Sequence, residues 1–126
     1  MNKKEEIRAI DIQLIAITFL IITSVISFII TYNQKLNLEN KKTFFNSKES
    51  LKITSFNRKL GLIIALIFLY VNIKLYNISK KEGENLKSYT LQIIASILVV
   101  ASSLITLYVV SLSETENLVD VENPLV

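Results

Sequence analysis

The sequence predicts an all-α integral membrane protein with three transmembrane helices, of which the second and third form an antiparallel hairpin. Two observations carry this prediction. Apolar residues make up 51% of the 126 residues and gather in three long uncharged runs, and the charged residues lie between those runs and on either side of them. A soluble chain of this length has too little interior to bury such runs, whereas a bilayer covers them. We treat residues 1–126 as a single membrane domain.

The first span is predicted at about 10–32. Its uncharged run, 12–32, is close to the ~20 residues that cross the hydrocarbon layer. The alternative is a cleaved signal peptide, whose apolar core usually has ~7–15 residues and is followed by a small-x-small cleavage site. Neither feature is found here, so we expect an uncleaved anchor. Asn2 followed by Glu5 resembles a capping box and predicts that the helix begins near Lys3.

The second span is predicted at about 58–78. Its strictly uncharged part, 60–73, is short for a span, so we expect Lys74 to extend its ammonium group to the membrane interface. Tyr70 and Tyr76 would then lie in the same interfacial belt. A buried helix of a soluble bundle is the alternative for all three runs, and it has most weight for this shorter one.

The third span is predicted at about 88–112, on an uncharged run that is long enough to cross the membrane with tilt. Gly83 follows two lysines and a glutamate, a pattern typical of the residue just past a helix C-terminus. Asn85 then caps the next helix. The link is therefore short, and we expect the second and third helices to pack as an antiparallel hairpin.

Two polar segments complete the chain, a basic loop predicted at 33–57 and an acidic, disordered tail predicted at 113–126. Within the loop, Asn46 followed by Glu49 indicates the start of a helix. The second half of the loop is either an amphipathic lead-in that lies in the interface or a solvated loop with a frayed helix. The tail has no Lys or Arg and is most simply a disordered terminus.

Charge distribution bears on orientation. The 14 Lys and Arg residues divide evenly between the two sides of the membrane, with seven in residues 33–59 and seven on the opposite side. Because Lys and Arg favour the cytoplasmic side, this count favours neither orientation. The acidic tail is the one segment without a positive residue, so we prefer a cytoplasmic N-terminus and an external C-terminus at the cell membrane. The basic loop favours the opposite orientation.

Small and polar residues recur on one face of each predicted helix. The helix-packing candidates are Thr23, Ser27, Thr31, Gly61, Ala65, Gln92, Ser96, Ser103 and Thr106. Small residues let helices approach closely, and hydroxyl or amide groups bond across the contact, so we predict that these stripes face one another. The alternative is a polar path for water, an ion or a small solute. Ion-coupled paths usually contain a charged residue, and we expect none to join these stripes.

Basic residues near the spans predict contact with the membrane surface. Anionic lipid headgroups are the expected partners of Lys41, Lys42, Lys48, Lys52 and Lys74. Nucleic acid is not an expected partner, because these residues are tied to membrane spans.

The composition argues against enzymatic chemistry. The chain has no His and no Cys, and only two Gly and one Pro. It therefore lacks the commonest general base and metal ligand, has no disulfide or thiolate, and cannot form a Gly-rich phosphate loop. We see no paired carboxylates at a span mouth. We predict no catalytic, cofactor-binding or metal-binding residue, no cofactor, and no enzyme activity.

These observations favour a small bacterial membrane protein that acts by contact, in an accessory, assembly or immunity-type role with a membrane-protein partner. The bacterial source is inferred from the richness in Ile, Lys and Asn, which is typical of AT-rich genomes. The alternative is an oligomeric pore-former or small transporter, built from several copies because three helices enclose no wide path. In size and number of spans the chain resembles some phage holins, although many holins end in a basic tail and this tail is acidic.

Overall fold

The computed structural model describes residues 3–116. These residues form three helices, α1 Lys3–Leu38, α2 Ser47–Lys81 and α3 Lys87–Glu116. The predicted all-α fold with three long apolar helices is therefore confirmed. Helix α3 includes the first four residues of the predicted acidic tail, and the remainder of the tail lies outside the described residues, as does Asn2 of the predicted first capping box.

All three helices are long enough and apolar enough to cross a membrane. Only 22%, 22% and 17% of the most apolar stretches of α1, α2 and α3 is buried within the protein. Large side chains such as Phe28, Leu98 and Ile105 are 71%, 65% and 63% exposed. Such a surface is unfavourable in water, and helices of this kind satisfy their own backbone polar groups in lipid. The chain is therefore a multi-pass membrane protein that contacts lipid over most of its outer surface.

The connection between α1 and α2 comprises only residues 39–46. It is shorter than the predicted loop 33–57, because both helices extend beyond the predicted spans. Helix α2 begins at the predicted capping box, which is confirmed. The Glu49 amide donates to Asn46 Oδ1 at 2.8 Å, and the Asn46 amide donates to Glu49 Oε1 at 3.1 Å. These two bonds satisfy donors that a helix N-terminus leaves open.

Helix α2 ends at Lys81, and Gly83 lies just past that end as predicted, with a φ of +71°. The Gly83 amide donates to the Lys80 carbonyl at 3.2 Å, and the Glu84 amide donates to the Ser79 carbonyl at 3.1 Å. This pair of bonds is a Schellman motif, in which glycine adopts the left-handed conformation without steric cost. Asn85 then accepts the Lys87 amide at 2.9 Å, so it caps the start of α3 as expected.

Helix α1 ends with the same motif, which the sequence analysis did not identify. Asn40 takes the left-handed position with a φ of +57°. The Asn40 amide donates to the Asn37 carbonyl at 3.1 Å, and the Lys41 amide donates to the Leu36 carbonyl at 2.9 Å. Asparagine is the second choice for this position after glycine. The two bonds stop the helix sharply and turn the chain back toward α2.

Helix α2 occupies the centre of the fold. It packs against α1 on one side and against α3 on the other, and within residues 3–116 α1 and α3 form no packed contact with each other. The antiparallel hairpin of α2 and α3 is confirmed. This arrangement leaves a space between α1 and α3, with α2 as its floor.

The packed contacts repeat every seven residues. Buried positions on α1 include Ala9, Ala16, Thr23 and Ile30, and buried positions on α2 include Asn57, Ile64, Val71 and Ile78. A seven-residue period is the spacing of a left-handed coiled-coil seam, in which side chains of one helix fit between those of the next. The α1 seam is built mainly from small residues, which lets α1 and α2 approach closely.

The turn between α2 and α3 carries two neighbouring carboxylates. A hydrogen bond with Glu82 raises the pKa of Glu84 above its ordinary value, and the negative charges of Glu82 and Glu6 raise it further. Glu6 belongs to the first turn of α1. The N-terminal end of α1 and this turn therefore lie at the same end of the molecule.

Candidate functional site

Three asparagines fix the positions of the helices. Asn33 is 5% exposed and binds the α1–α2 connection to α1. Its Oδ1 accepts the amides of Phe44 at 2.7 Å and Phe45 at 3.0 Å. Its Nδ2 donates to the Phe45 carbonyl at 3.1 Å and to Ser50 Oγ at 3.2 Å. Both donors and both acceptor positions of the amide are used, so this residue sets the geometry of the whole connection.

Asn57 joins α2 to the middle of α1. It is 4% exposed, and its Nδ2 donates to the Thr23 carbonyl at 3.2 Å and to Ser27 Oγ at 2.9 Å. Its buried Oδ1 has no hydrogen-bond partner among the described residues. Hydrogen bonds of this kind hold helices together in lipid, where water cannot replace them.

Asn72 joins α2 to α3 through its side-chain amide. Its Nδ2 donates to Ser96 Oγ and, at 3.5 Å, to the Gln92 carbonyl. None of these three asparagines is among the helix-packing residues predicted from the sequence. The sequence contains a cue to two of them. Asn72 is the one amide side chain in the uncharged run 60–73. Asn57 lies seven residues before Ile64, on the spacing of the buried α2 seam.

The space between α1 and α3 is a cleft of about 780 Å³, which we call the α1–α3 cleft. Its small or hydroxylated lining residues are Thr23, Ser24, Ser27, Thr31, Gly61, Ala65, Ser102, Ser103 and Thr106. Its larger and polar lining residues are Leu20, Phe28, Asn57, Arg58, Ile64, Phe68 and Val99. All three helices thus contribute, and the narrow side chains recur at each turn of the walls.

Seven of the nine helix-packing candidates line this cleft, so the structure brings residues from all three predicted stripes together. Two candidates lie elsewhere. Ser96 is buried against Asn72, and the Gln92 side chain is exposed while its carbonyl accepts from Asn72. The stripes on α1 and α3 face each other across open space rather than in direct contact.

Several hydroxyl groups in the cleft bond to their own helices. Thr23 and Ser24 both donate to the Leu20 carbonyl, at 2.8 and 2.9 Å, and Thr106 donates to the Ser103 carbonyl at 2.9 Å. A hydroxyl bonded in this way presents a small and largely apolar surface. The cleft walls are therefore suited to close packing.

Gly61 lies on the floor of the cleft. A Cβ atom at this position would meet no described atom within 4 Å. Glycine in a helix interior costs about 1 kcal/mol relative to alanine, and packing within residues 3–116 does not require it. The missing side chain instead widens the cleft.

Arg58 also lines the cleft and is half-buried. The expectation that no charged residue joins the hydroxylated stripes is therefore wrong. In the sequence, Arg58 is counted with the seven basic residues between the first two uncharged runs, next to Lys59. The bonds of Asn57 to α1 explain the difference, since they draw this part of α2 alongside Thr23.

The predicted lipid-headgroup lysines lie outside the cleft. Lys41, Lys42, Lys48 and Lys52 are exposed, and Lys74 is half-buried. Lys41 lies 3.9 Å from Glu39 in an exposed ion pair, which contributes little to stability. The exposure of the first four is in keeping with their predicted partner, anionic lipid headgroups, and the contacts themselves stay a prediction.

Lys52 also borders a second recess of about 640 Å³, together with Lys59 and Glu114. This recess brings the end of α3 beside the basic first half of α2. Within residues 3–116 no group of three or more acidic, His or Cys residues is placed to hold a metal ion.

Comparisons of this chain with protein-family models, curated proteins and solved structures gave no match. We therefore infer the function of the chain from the geometry of the cleft.

Proposed function

We propose that this chain is a non-enzymatic membrane protein that acts by contact, and that its α1–α3 cleft receives a transmembrane helix of another membrane protein. The observation that carries the proposal is the open floor at Gly61 between walls of small residues. In lipid, helices associate by close van der Waals packing, and small residues make that approach possible.

The dimensions of the cleft suit a helix. Its α1 wall extends from Leu20 to Thr31, which corresponds to about 16 Å, or three turns, at the helical rise of 1.5 Å per residue. Because α1 and α3 do not pack together within the described residues, the cleft opens sideways to the bilayer. A second helix enters such a cleft without leaving the membrane.

The lining chemistry favours packing over catalysis. The described lining residues supply hydroxyls, one amide, one guanidinium and apolar groups, and among them is no carboxylate or imidazole for general acid–base chemistry. An accessory, assembly or immunity-type role requires no more than a specific contact of this kind.

A homo-oligomeric pore is the second candidate, and the hydroxyls of the cleft favour it. Seven Ser and Thr residues line the cleft. If several copies turned their clefts toward a common axis, these groups would line a polar path. The holin-like size and number of spans fit that arrangement.

Site-specific photo-cross-linking in living cells tests the proposal. A photoreactive residue replaces Ser102 in the cleft or, as the control, Leu104, which is 53% exposed on the lipid-facing side of the same helix. We expect a discrete protein adduct from Ser102 and none from Leu104. Equal adducts from both positions, or none from Ser102, would contradict the proposal.

The identity of the Ser102 adduct distinguishes the contact role from the pore. An adduct with a different membrane protein supports the contact role. An adduct at twice the mass of the chain, together with loss of membrane potential on overexpression, supports the pore instead.

A further inference from the structure

We infer that the recess bordered by Lys52, Lys59 and Glu114, which we call the α2–α3 recess, binds the headgroup of phosphatidylethanolamine. The two lysines take its phosphate and the glutamate takes its ammonium group. The recess has a volume of about 640 Å³, within the roughly 300–1,000 Å³ of small-ligand sites. Its described lining residues are all different from those of the α1–α3 cleft, so the inference is independent of the proposed function.

One face of α2 forms most of the recess. Residues three and four positions apart lie on the same face of a helix. The lining residues of α2 follow this spacing without a break: Lys52, Ser55, Phe56, Lys59, Leu60 and Ile63. At 1.5 Å per residue this face is about 16 Å long, and it changes from charged at one end to apolar at the other.

The recess crosses the edge of the hydrocarbon layer. The uncharged run of α2 begins at Leu60, directly after Lys59, and the uncharged stretch of α3 ends directly before Glu114. Both helices therefore change from apolar to charged at the level where acyl chains meet headgroups. A phospholipid has the same order of groups. Its headgroup would lie between the three charged side chains, and an acyl chain would lie along Leu60 and Ile63.

The charges of the recess suit a headgroup that carries both signs. Lys52, Lys59 and Glu114 are all exposed, and in the described part of the chain neither lysine forms an ion pair with Glu114. Each lysine ammonium supplies three donors for phosphate oxygens. The carboxylate beside them repels a headgroup that is only anionic, but it accepts hydrogen bonds from a primary ammonium.

Three common headgroups differ in these properties. Phosphatidylethanolamine has a phosphate and a primary ammonium, so it pairs with both kinds of charge in the recess. Phosphatidylglycerol has the phosphate but no ammonium group. Phosphatidylcholine has a quaternary ammonium, which has no N–H to donate. Only the first of the three complements the two lysines and the glutamate together.

Ser55 provides a further polar group at the recess. It is 9% exposed and lines the recess between the two lysines in sequence. Serines such as Ser24 and Ser113 donate to a carbonyl of their own helix, whereas within residues 3–116 no hydrogen bond involves the Ser55 hydroxyl. A hydroxyl of this kind is available to a phosphate oxygen.

A lipid fits this recess better than a second helix does. Close packing of helices in a membrane needs small residues at the contact. The recess instead presents the large side chains of Phe56, Leu60 and Ile63, together with three charged groups at its polar end. A headgroup pairs with those charges, and a flexible acyl chain follows an uneven apolar surface.

The test places a photoreactive phenylalanine analogue at Phe56 in the full chain. The chain is reconstituted in phosphatidylcholine vesicles that contain small and equal fractions of phosphatidylethanolamine and phosphatidylglycerol with the same acyl chains, and mass spectrometry identifies the lipid adducts. The control position is Leu66, which is 47% exposed on the same helix and outside the recess. We expect the ratio of phosphatidylethanolamine to phosphatidylglycerol adducts to be roughly two- to fivefold higher at Phe56 than at Leu66, the range that one exposed ion pair supports.

Variants of the charged residues show which group makes the selection. Glu114→Gln should reduce the ratio at Phe56 to that at Leu66, and Glu114→Lys should invert the preference in favour of phosphatidylglycerol. Lys59→Gln should lower the adducts of both lipids relative to phosphatidylcholine. Lys48→Gln is the matched control, because Lys48 is exposed on the same helix and outside the recess, and it should leave all yields unchanged.

Several results would overturn the inference. Equal ratios at Phe56 and Leu66 in the wild-type chain would mean that the recess does not select a headgroup. An excess of phosphatidylglycerol at Phe56 that Lys59→Gln removes would mean that the site takes an anionic headgroup and that Glu114 plays no part. A Phe56 adduct with a second copy of the chain, in place of lipid, would make the recess a protein contact.

Discussion

Single amides hold the helices of this protein in register. Asn57 makes two hydrogen bonds to α1, one to a backbone carbonyl and one to Ser27. No apolar substitute provides either bond, and in lipid no water replaces the lost link between α1 and α2. Asn33 and Asn72 act likewise at the α1–α2 connection and between α2 and α3.

We predict that Asn57→Ala lowers the free energy of unfolding by about 1–2 kcal/mol, the sum of two interhelical hydrogen bonds of the usual strength in membranes. Reversible unfolding in mixed micelles with increasing sodium dodecyl sulfate measures this change in the free energy of unfolding. Asn77→Ala is the matched control, because Asn77 is exposed on the same helix. Equal loss of stability in the two variants would mean that the Asn57 bonds contribute nothing.

The two glycines should respond oppositely to alanine. Gly83 has a φ of +71°, which disfavours any residue with a Cβ, whereas Gly61 lies in a helix with no described atom within 4 Å of an added Cβ. We predict that Gly83→Ala costs about 1 kcal/mol and that Gly61→Ala is neutral or stabilising by up to about 1 kcal/mol. The same unfolding titration compares them, and destabilisation by Gly61→Ala would show that the cleft floor is packed.

The helix ends and spans that the sequence predicts correctly are those that depend on short local patterns. The capping box at Asn46 and the helix end at Gly83 each depend on residues within a few positions, so pattern alone predicts them. The three apolar helices follow from run length. The end of α1 at Asn40 is not predictable in this way, because asparagine is also common at positions other than the end of a helix.

The placement of Arg58 and Asn57 follows from contacts 30 or more residues apart in the chain, such as Asn57 with Ser27. Periodicity along one helix indicates which face is buried, but not which residue of the next helix it meets. The lateral cleft was not foreseen for the same reason. Three stripes of small residues fit a closed bundle as well as the open arrangement with α2 in the centre.

Openness of the cleft is testable by disulfide formation, since the chain has no native cysteine. We predict that the pair Ser24→Cys and Ser102→Cys stays reduced under mild oxidant, because these residues lie on opposite walls of the cleft. The control pair Asn72→Cys and Ser96→Cys should oxidise readily, because the native side chains are hydrogen-bonded. Fast oxidation of the first pair would show that α1 and α3 meet. A mobility shift on a non-reducing gel reports the oxidation of either cysteine pair.

We propose that the whole molecule lies in the membrane with a cytoplasmic N-terminus. This orientation places the α1–α2 connection outside and the α2–α3 turn inside. We predict that an impermeant maleimide labels Lys42→Cys on intact cells and labels Glu82→Cys only after lysis, since both native residues are exposed. The reverse pattern would invert the orientation. Ser113 is unsuitable as a reporter because it is 1% exposed.

We propose that the α1–α3 cleft is a binding surface for a transmembrane helix. Filling the cleft floor while following the cross-link from Ser102 in cells tests this proposal. Gly61→Leu should abolish the protein adduct. Leu66→Phe, which adds bulk at a side chain 47% exposed on the same helix and outside the cleft, should leave it intact. A Ser102 adduct that persists in Gly61→Leu at the wild-type yield would contradict the account.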